Sequence, residues 1–337
     1  MTHIKKYTSQ TGLSLIELMI AITISTALLI GVVQIFSNTK STYRTQETFS
    51  RLSEKARFAL DIMAQDISMA DFWGCNPTPV DANQHLSGGN QLNTGDNFIA
   101  FAQNQSDTSG QGGGLFGIEG DASLVGSPDR ILVRSLIGRP TQIQPLSFAN
   151  LPVQLTETNN HFQTGQIVGL TDCTKTDFFQ ITSTSIDGLT IFHAAETTPT
   201  IPPGNANARL SNTYGSNSTM YRAQQVEYFI TPANTLGTGE LPGLMRQLNR
   251  GVATELISNV EDMQIKYGED TTGDLVVDRY IDANGAGINF DNVIAVRITL
   301  VIASDDDNVS PTQLTGRNDN RIEKTVTTTI SLRNRLS

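Results

Sequence analysis

Few residues in this chain have the types and spacing for chemistry. Asp270, Asp274 and Asp278, with Glu269 beside them, stand in the stretch Asp270-Thr271-Thr272-Gly273-Asp274-Leu275-Val276-Val277-Asp278. A turn rich in aspartate can supply the several oxygen ligands that calcium takes. The match to a helix-flanked calcium loop is poor, because Thr272 stands where a ligand Asp is expected and no suitably placed Glu ends the loop. A polar hairpin turn is the favoured reading. Asp270, Asp274 and Asp278 stay a weak calcium candidate, and no cofactor is expected. Asp305-Asp306-Asp307-Asn308 reads as a second, solvated acidic turn.

Nothing in the spacing asks for catalysis. His3, His85, His161 and His193 are isolated, and the chain has neither H-E-x-x-H nor G-x-S-x-G. A Ser-His-Asp triad can assemble from distant residues, but no element of this sequence points to one, and no enzyme is expected. The triplet Gly112-Gly113-Gly114 is followed by no Lys-Ser or Lys-Thr and sits in no strand-to-helix pattern. It reads as a flexible loop, not a phosphate cradle. Cys75 and Cys173 have no histidine nearby and make no zinc set.

Glu17 is the remaining residue of interest, because of where it stands. Leu13 to Phe36 is a run of 24 residues without Lys, Arg, Asp or Pro, and Glu17 is its single charge. As a helix the run would extend about 36 Å, enough to cross a hydrocarbon core of about 30 Å. A carboxylate in such a helix costs a few kcal/mol and marks function by default, so it needs a partner. A secretory signal peptide fits badly, since its cleavage site follows the apolar region. Here the plausible cut precedes it, after Gly12. Lys5 and Lys6 lie ahead of the helix and favour a cytoplasmic leader, a weak signal because Lys40 and Arg44 follow. No proline interrupts the run, and Gly31 is its one weak point, so no kink is expected.

The elements that carry these residues follow from periodicity. Phe49, Leu52, Ala56, Leu60, Met63, Ile67 and Ala70 step by three or four, and Glu47, Arg51, Glu54, Lys55 and Asp61 lie largely off that stripe. Leu13 to about Ala70 therefore reads as one helix, apolar all round over 13–36 and amphipathic over 37–70. Phe72-Trp73-Gly74-Cys75-Asn76-Pro77 stops it. Residues 76–125 read as loops. Strands are expected at 130–136, 166–170, 177–182, 189–192, 224–230, 243–248, 262–267, 293–302 and 324–332, with a hairpin around Cys173. Glu255 to Val260 reads as a short helix or turn. The fold class is α+β: a long helix on a large antiparallel β-rich head over 71–337.

Composition narrows the function classes. The formal net charge is −10, and removing Lys5 and Lys6 with a leader of residues 1–12 takes it to −12. Such a balance argues against nucleic-acid binding.

A short basic leader ending in Gly12, then Leu13-Ser14-Leu15-Ile16-Glu17 opening a long apolar run, resembles the type IV prepilin signal. Asp66-Ile67-Ser68-Met69-Ala70-Asp71-Phe72-Trp73-Gly74-Cys75 resembles the helix end of PilW-type minor pilins. So do the strand-turn-strand around Asp172-Cys173, the stretch Glu255 to Glu261 leading to Tyr267-Gly268, and Ile330-Ser331-Leu332-Arg333-Asn334-Arg335. The resemblance implies a type IV pilin-like fold, cleavage between Gly12 and Leu13 by a prepilin peptidase, N-methylation of Leu13, and an assembly role for Glu17 through a neighbour's terminal amine. It implies a structural minor pilin that helps initiate the pilus and sits at its tip. The implied partners are other minor pilins, the major pilin, the inner-membrane assembly platform and a PilY-type adhesin. The head would lie in the periplasm before assembly and at the cell surface after it. J-type pseudopilins of type II secretion share the leader, so a pseudopilin stays an alternative, as does a tip adhesin. An exported head would meet an oxidising compartment, where Cys75 and Cys173 are expected to pair.

Overall fold

The computed structural model describes residues 14–74, 89–90, 113–120, 128–158, 161–196, 204–205, 207–210, 212–231, 242–249, 251–306 and 320–336. The leader with Gly12, Leu13, Cys75, His3 and His85 lie outside the described residues. The chain divides into two compact units, 1–51 with 304–322, and 52–303 with 323–337.

One helix, α1 (Leu15–Ser68), runs unbroken through both halves of the expected pattern, including Gly31. In the first unit its apolar residues face outward, with Leu15, Leu28 and Phe36 all strongly exposed. The threonine hydroxyls there donate to carbonyls one turn back, as Thr23 does to Ile20 and Thr26 to Ile22 at 2.9 Å. A polar hydroxyl on an apolar helix is thereby satisfied within the helix.

In the second unit α1 becomes one-sided. Leu52, Ala56, Ala59, Met63 and Ile67 are buried, while Arg57 and Asp61 pair on the outer face at 3.7 Å. Ala59, not Leu60, occupies the buried stripe, and Phe49 is exposed. A helix period of 3.6 places residue 59 closer to the 52–56–63 line than residue 60, whereas Phe49 stands on the same face as Ile67 and is exposed because it lies before the first buried residue of α1, Leu52.

Among the described residues fifteen strands follow. Two lie early, β1 (Gly89–Asn90) and β2 (Leu115–Ile118). Next come β3 (Arg130–Gln142), β4 (Val153–Gln154), β5 (Ile167–Thr171), β6 (Thr176–Gln180), β7 (Ser183–Thr184) and β8 (Thr190–Phe192). Then follow β9 (Thr219–Ile230), β10 (Leu244–Leu248), β11 (Thr254–Ile257) and β12 (Val260–Glu269). The last are β13 (Arg279–Ile281), β14 (Val293–Ala303) and β15 (Glu323–Ser331).

They form three sheets. The eight-stranded sheet is built around β9, which pairs with β3, β5 and β10. A four-stranded sheet has the order β13-β12-β14-β15, and a small one the order β4-β8-β7. Apart from the parallel pair β1–β6, the pairings are antiparallel. The expected hairpin around Cys173 is β5–β6. Glu255 to Val260 is neither helix nor simple turn: it holds β11 and then Asn259 at φ 60° before β12 begins. Asparagine tolerates that left-handed conformation, so a strand reverses there without glycine. The strand β2 lies within the region read as loops, because its four residues fall below the length at which alternation is visible.

Apolar clusters among the described residues include one within the eight-stranded sheet and one that joins it to the small sheet. Trp73, Leu136, Ile167, Phe178, Tyr221 and Ala223 form one. Val153, Val168, Phe179, Ile191, Tyr214 and Met220 belong to the other.

Candidate functional site

The start of α1 holds the sole charge of the apolar run. Leu18 N–H bonds the Ser14 carbonyl at 3.2 Å, which places Ser14 as the helix cap. The Glu17 carboxylate accepts the Ser14 N–H at 3.1 Å. This is the glutamate half of a capping box, carried by Ser14-Leu15-Ile16-Glu17. The S-x-x-E spacing was available in the sequence but is obscured there by the stronger apolar signal. One oxygen of an exposed carboxylate is thus occupied by the chain's own backbone.

The other end of α1 is locked into the head. Asp71 follows the helix at φ 59°. Its carboxylate accepts the Gly114 N–H at 2.7 Å and forms a buried ion pair with Arg335. Asn334 donates to the Ala70 carbonyl at 2.9 Å, satisfying one of the helix's last open acceptors. Arg335 also bonds the Phe290 and Val293 carbonyls. Two of the segments carrying the family resemblance, 66–75 and 330–335, therefore meet in space.

Gly113 and Gly114 are part of this lock and not a free loop. A Cβ on Gly114 would stand 2.3 Å from the Asp71 nitrogen. The fully buried Arg134 donates to the Gly113 carbonyl at 3.0 Å and to Gln225 at 2.9 Å. The glycines serve close backbone approach, a role that a glycine run signals as readily as flexibility.

Near the end of the buried stripe, Asp66 accepts from Tyr228 of β9 and from Arg246 of β10, the latter at 2.9 Å. Burial, and next the neighbouring Asp66 charge, push the Tyr228 hydroxyl far above its ordinary range, so it stays a donor. Lys324 of β15 bonds Ser53. The amphipathic half of α1 is thus tied to both larger sheets.

Cys173 is disulfide-bonded and sits at φ 73° in the β5–β6 turn. Cys75, the chain's other cysteine, lies outside the described residues.

The acidic turn is held from within. Asp270 accepts the backbone N–H groups of Gly273 at 2.6 Å and Leu275 at 2.8 Å, and Asp278 accepts that of Thr271 at 2.7 Å. Asp274 accepts from Val276 at 2.9 Å. Among the described residues no group of three or more His, Cys, Asp or Glu is placed to hold a metal. Ser304 to Asp306 forms the other turn, where Arg321 donates to the Ser304 and Asp305 carbonyls at 2.6 and 2.9 Å. His161 and His193 are far apart in role: the first meets Thr141 at 3.2 Å, the second the Leu151 carbonyl at 2.9 Å.

Two family models match the chain. Type IV Pilus-assembly protein W matches residues 227–334, which run from the end of β9 to Asn334. The prokaryotic N-terminal methylation motif matches residues 7–33, which contain Glu17. No curated protein and no solved structure shows significant similarity to the chain.

Proposed function

We propose, from the premise that the chain is a PilW-type minor pilin with a prepilin-type signal, that it acts in initiating the pilus and stands at its tip among other minor pilins. The matched families are structural pilus components, and the role is assembly, not catalysis. The observation that carries the reading is α1: an exposed apolar half with Glu17 near its start, continuous with an amphipathic half fastened to a β-rich head.

In this reading residues 1–12 are the leader, cut between Gly12 and Leu13 by the prepilin peptidase, with Leu13 then methylated. The apolar half anchors the precursor in the inner membrane with the head in the periplasm. On assembly it leaves lipid for a bundle of like helices formed with the major pilin and the other minor pilins, on the inner-membrane platform. There Glu17, half-satisfied by Ser14, offsets the rest of its burial by pairing with a terminal amine, which favours one axial register. A PilY-type adhesin is the further partner expected at the tip. Nucleic acid is not a partner.

Glu17→Ala tests the mechanism. The variant should insert and be cleaved yet be depleted at least about tenfold from sheared fibres, as loss of a desolvated charge pair predicts. Wild-type amounts in the fibres would sink the proposal. A clean deletion separates pilus from secretion fibre: lost pili with intact type II secretion supports the reading, and the reverse makes the chain a pseudopilin.

A further inference from the structure

The contact between the two larger sheets gathers negative charge. It lies within the second unit of the chain. β2 pairs with β3 at Gly117↔Ile131 and Ile118↔Arg130. One further step of that register sets Glu119 across from Asp129. Asp129 is buried and Glu119 half-buried. The Asp129 carboxylate accepts the Gly120 N–H at 2.9 Å and the Ile265 N–H of β12 at 2.6 Å. Glu119 accepts the Ala283 N–H, just past β13, at 3.0 Å. Two carboxylates at the end of the β2–β3 pair are thereby fixed against the four-stranded sheet.

Their surroundings add to the charge. Burial, and next Asp129, raise the Glu119 pKa, and Asp282 raises it further. Burial raises that of Asp129 in spite of its two N–H bonds, with Asp262 and Asp282 adding. The Lys266 ammonium on the same side is already paired with Asp282 at 2.6 Å. Like charges set opposite each other on paired strands are destabilising. A cation between them favours the charged form of both.

Tyr267 of β12 reaches the same place. It is fully buried, and its hydroxyl has no hydrogen-bond partner among the described residues. The hydroxyl lies against Gly117, where a Cβ would stand 2.1 Å from it. Gly117 and Glu119 are two apart and share a strand face. After burial, Asp129 and Glu119 are the charges that raise the Tyr267 pKa, so the phenol stays protonated beside them. Buried hydroxyls are bonded as a rule, and an unpaired one beside two carboxylates calls for an ordered water or an ion.

We propose that Glu119 and Asp129 bind a calcium ion, with the Tyr267 hydroxyl bonded to a water that the ion carries. The donors are all oxygen, which suits calcium or magnesium and not zinc. One buried and one half-buried carboxylate on separate strands fit the flexible shell of calcium better than the strict octahedron of magnesium. Two carboxylates leave the rest of the shell to carbonyls and water, which sets the dissociation constant at about 0.1–1 mM. The bound ion ties the β2–β3 end to β12 and β13, and with them the two larger sheets.

The test uses the full chain in detergent at neutral pH, freed of metal by a chelator. Calcium chloride should raise the melting temperature with a midpoint of about 0.1–1 mM, and magnesium at the same concentrations should not. Glu119→Gln keeps an oxygen for the Ala283 N–H, so it should fold, and it should need at least about tenfold more calcium. Tyr267→Phe removes an unpaired hydroxyl and should melt no lower than the wild type without calcium. Terbium bound in place of calcium and excited through tyrosine should emit, and Tyr267→Phe should remove most of that emission. Asp274→Asn, in the separate acidic turn, should leave it intact. No calcium shift in the wild type, an equal shift with magnesium, or an equal shift in Glu119→Gln would overturn the proposal. So would terbium emission that survives Tyr267→Phe, or emission lost in Asp274→Asn, which would place the ion in the acidic turn.

Discussion

Arg335 and Asp71 form a buried ion pair that fastens the final turn of the chain to the end of α1. The pair is not isolated. Asp71 also takes the Gly114 N–H, and Arg335 spreads over two carbonyls at the start of β14. Helix end, glycine turn and C-terminal turn therefore converge on one carboxylate. Breaking a buried pair leaves an uncompensated charge at a cost of about 3–5 kcal/mol. Arg335→Ala should lose stability of that order in denaturant unfolding of the full chain in detergent. Adding Asp71→Ala to it should cost much less than Asp71→Ala alone, because the pair is already broken. A loss below about 1 kcal/mol for Arg335→Ala would show the pair to be incidental.

Asp66 is the second fastening, and it is shared. Tyr228→Phe removes one donor but leaves the Arg246 pair in place. The expected cost is about 1–2 kcal/mol, the value of a hydrogen bond to a charged group. Arg246→Met should cost more, since Asp66 would keep only a neutral donor. Equal effects from the two changes would contradict this ranking.

The two fastenings show what could be read from the residues alone. The spine was legible, because a 24-residue run with one charge followed by a three-four stripe leaves one solution. The long strands β9, β12, β14 and β15 were legible too, as runs rich in β-branched and aromatic residues at 224–230, 262–267, 293–302 and 324–332, although β9 and β12 extend beyond the expected bounds. The Asp71–Arg335 and Asp66–Arg246 pairs were not. Their partners lie 264 and 180 residues apart, and neither distance leaves a mark in local periodicity. Glu17 was legible as a residue needing a partner, whereas its bond to Ser14 shows only in the geometry of the cap.

His193 should make stability fall in mild acid. Burial lowers its pKa, outweighing the raising effects of the Leu151 carbonyl and Asp177. The unfolded chain therefore binds the proton at higher pH than the folded one. The stabilising contribution of the neutral ring is complete above about pH 6.5 and is lost as pH falls from there through the folded value. His161, lowered in the same direction, adds to the same window. Melting temperature should drop between pH 7.5 and 5.5, and His193→Phe should flatten much of that drop. A variant with the full wild-type slope would exclude His193 as its source.

The disulfide closes the argument about the head. Gly74 lies against β5: a Cβ there would stand 2.8 Å from Thr171 Cγ2, and its carbonyl accepts the Tyr221 hydroxyl at 3.2 Å. Thr171 in turn accepts the Cys173 N–H at 3.2 Å. The residue before Cys75 is thus held two positions from Cys173, whose sulfur is oxidised. A peptide map under non-reducing conditions should recover Cys75 linked to Cys173 within one chain. Such a bond closes a loop of about 100 residues, worth about 4–5 kcal/mol in the chain-entropy model. Cys173→Ser and reduction of the wild type should therefore lower stability by the same amount. Reduction should have no further effect on the variant. An intermolecular link in the map, or a variant as stable as the oxidised wild type, would reject the intrachain pair. The first would move these cysteines from holding the head together to joining subunits.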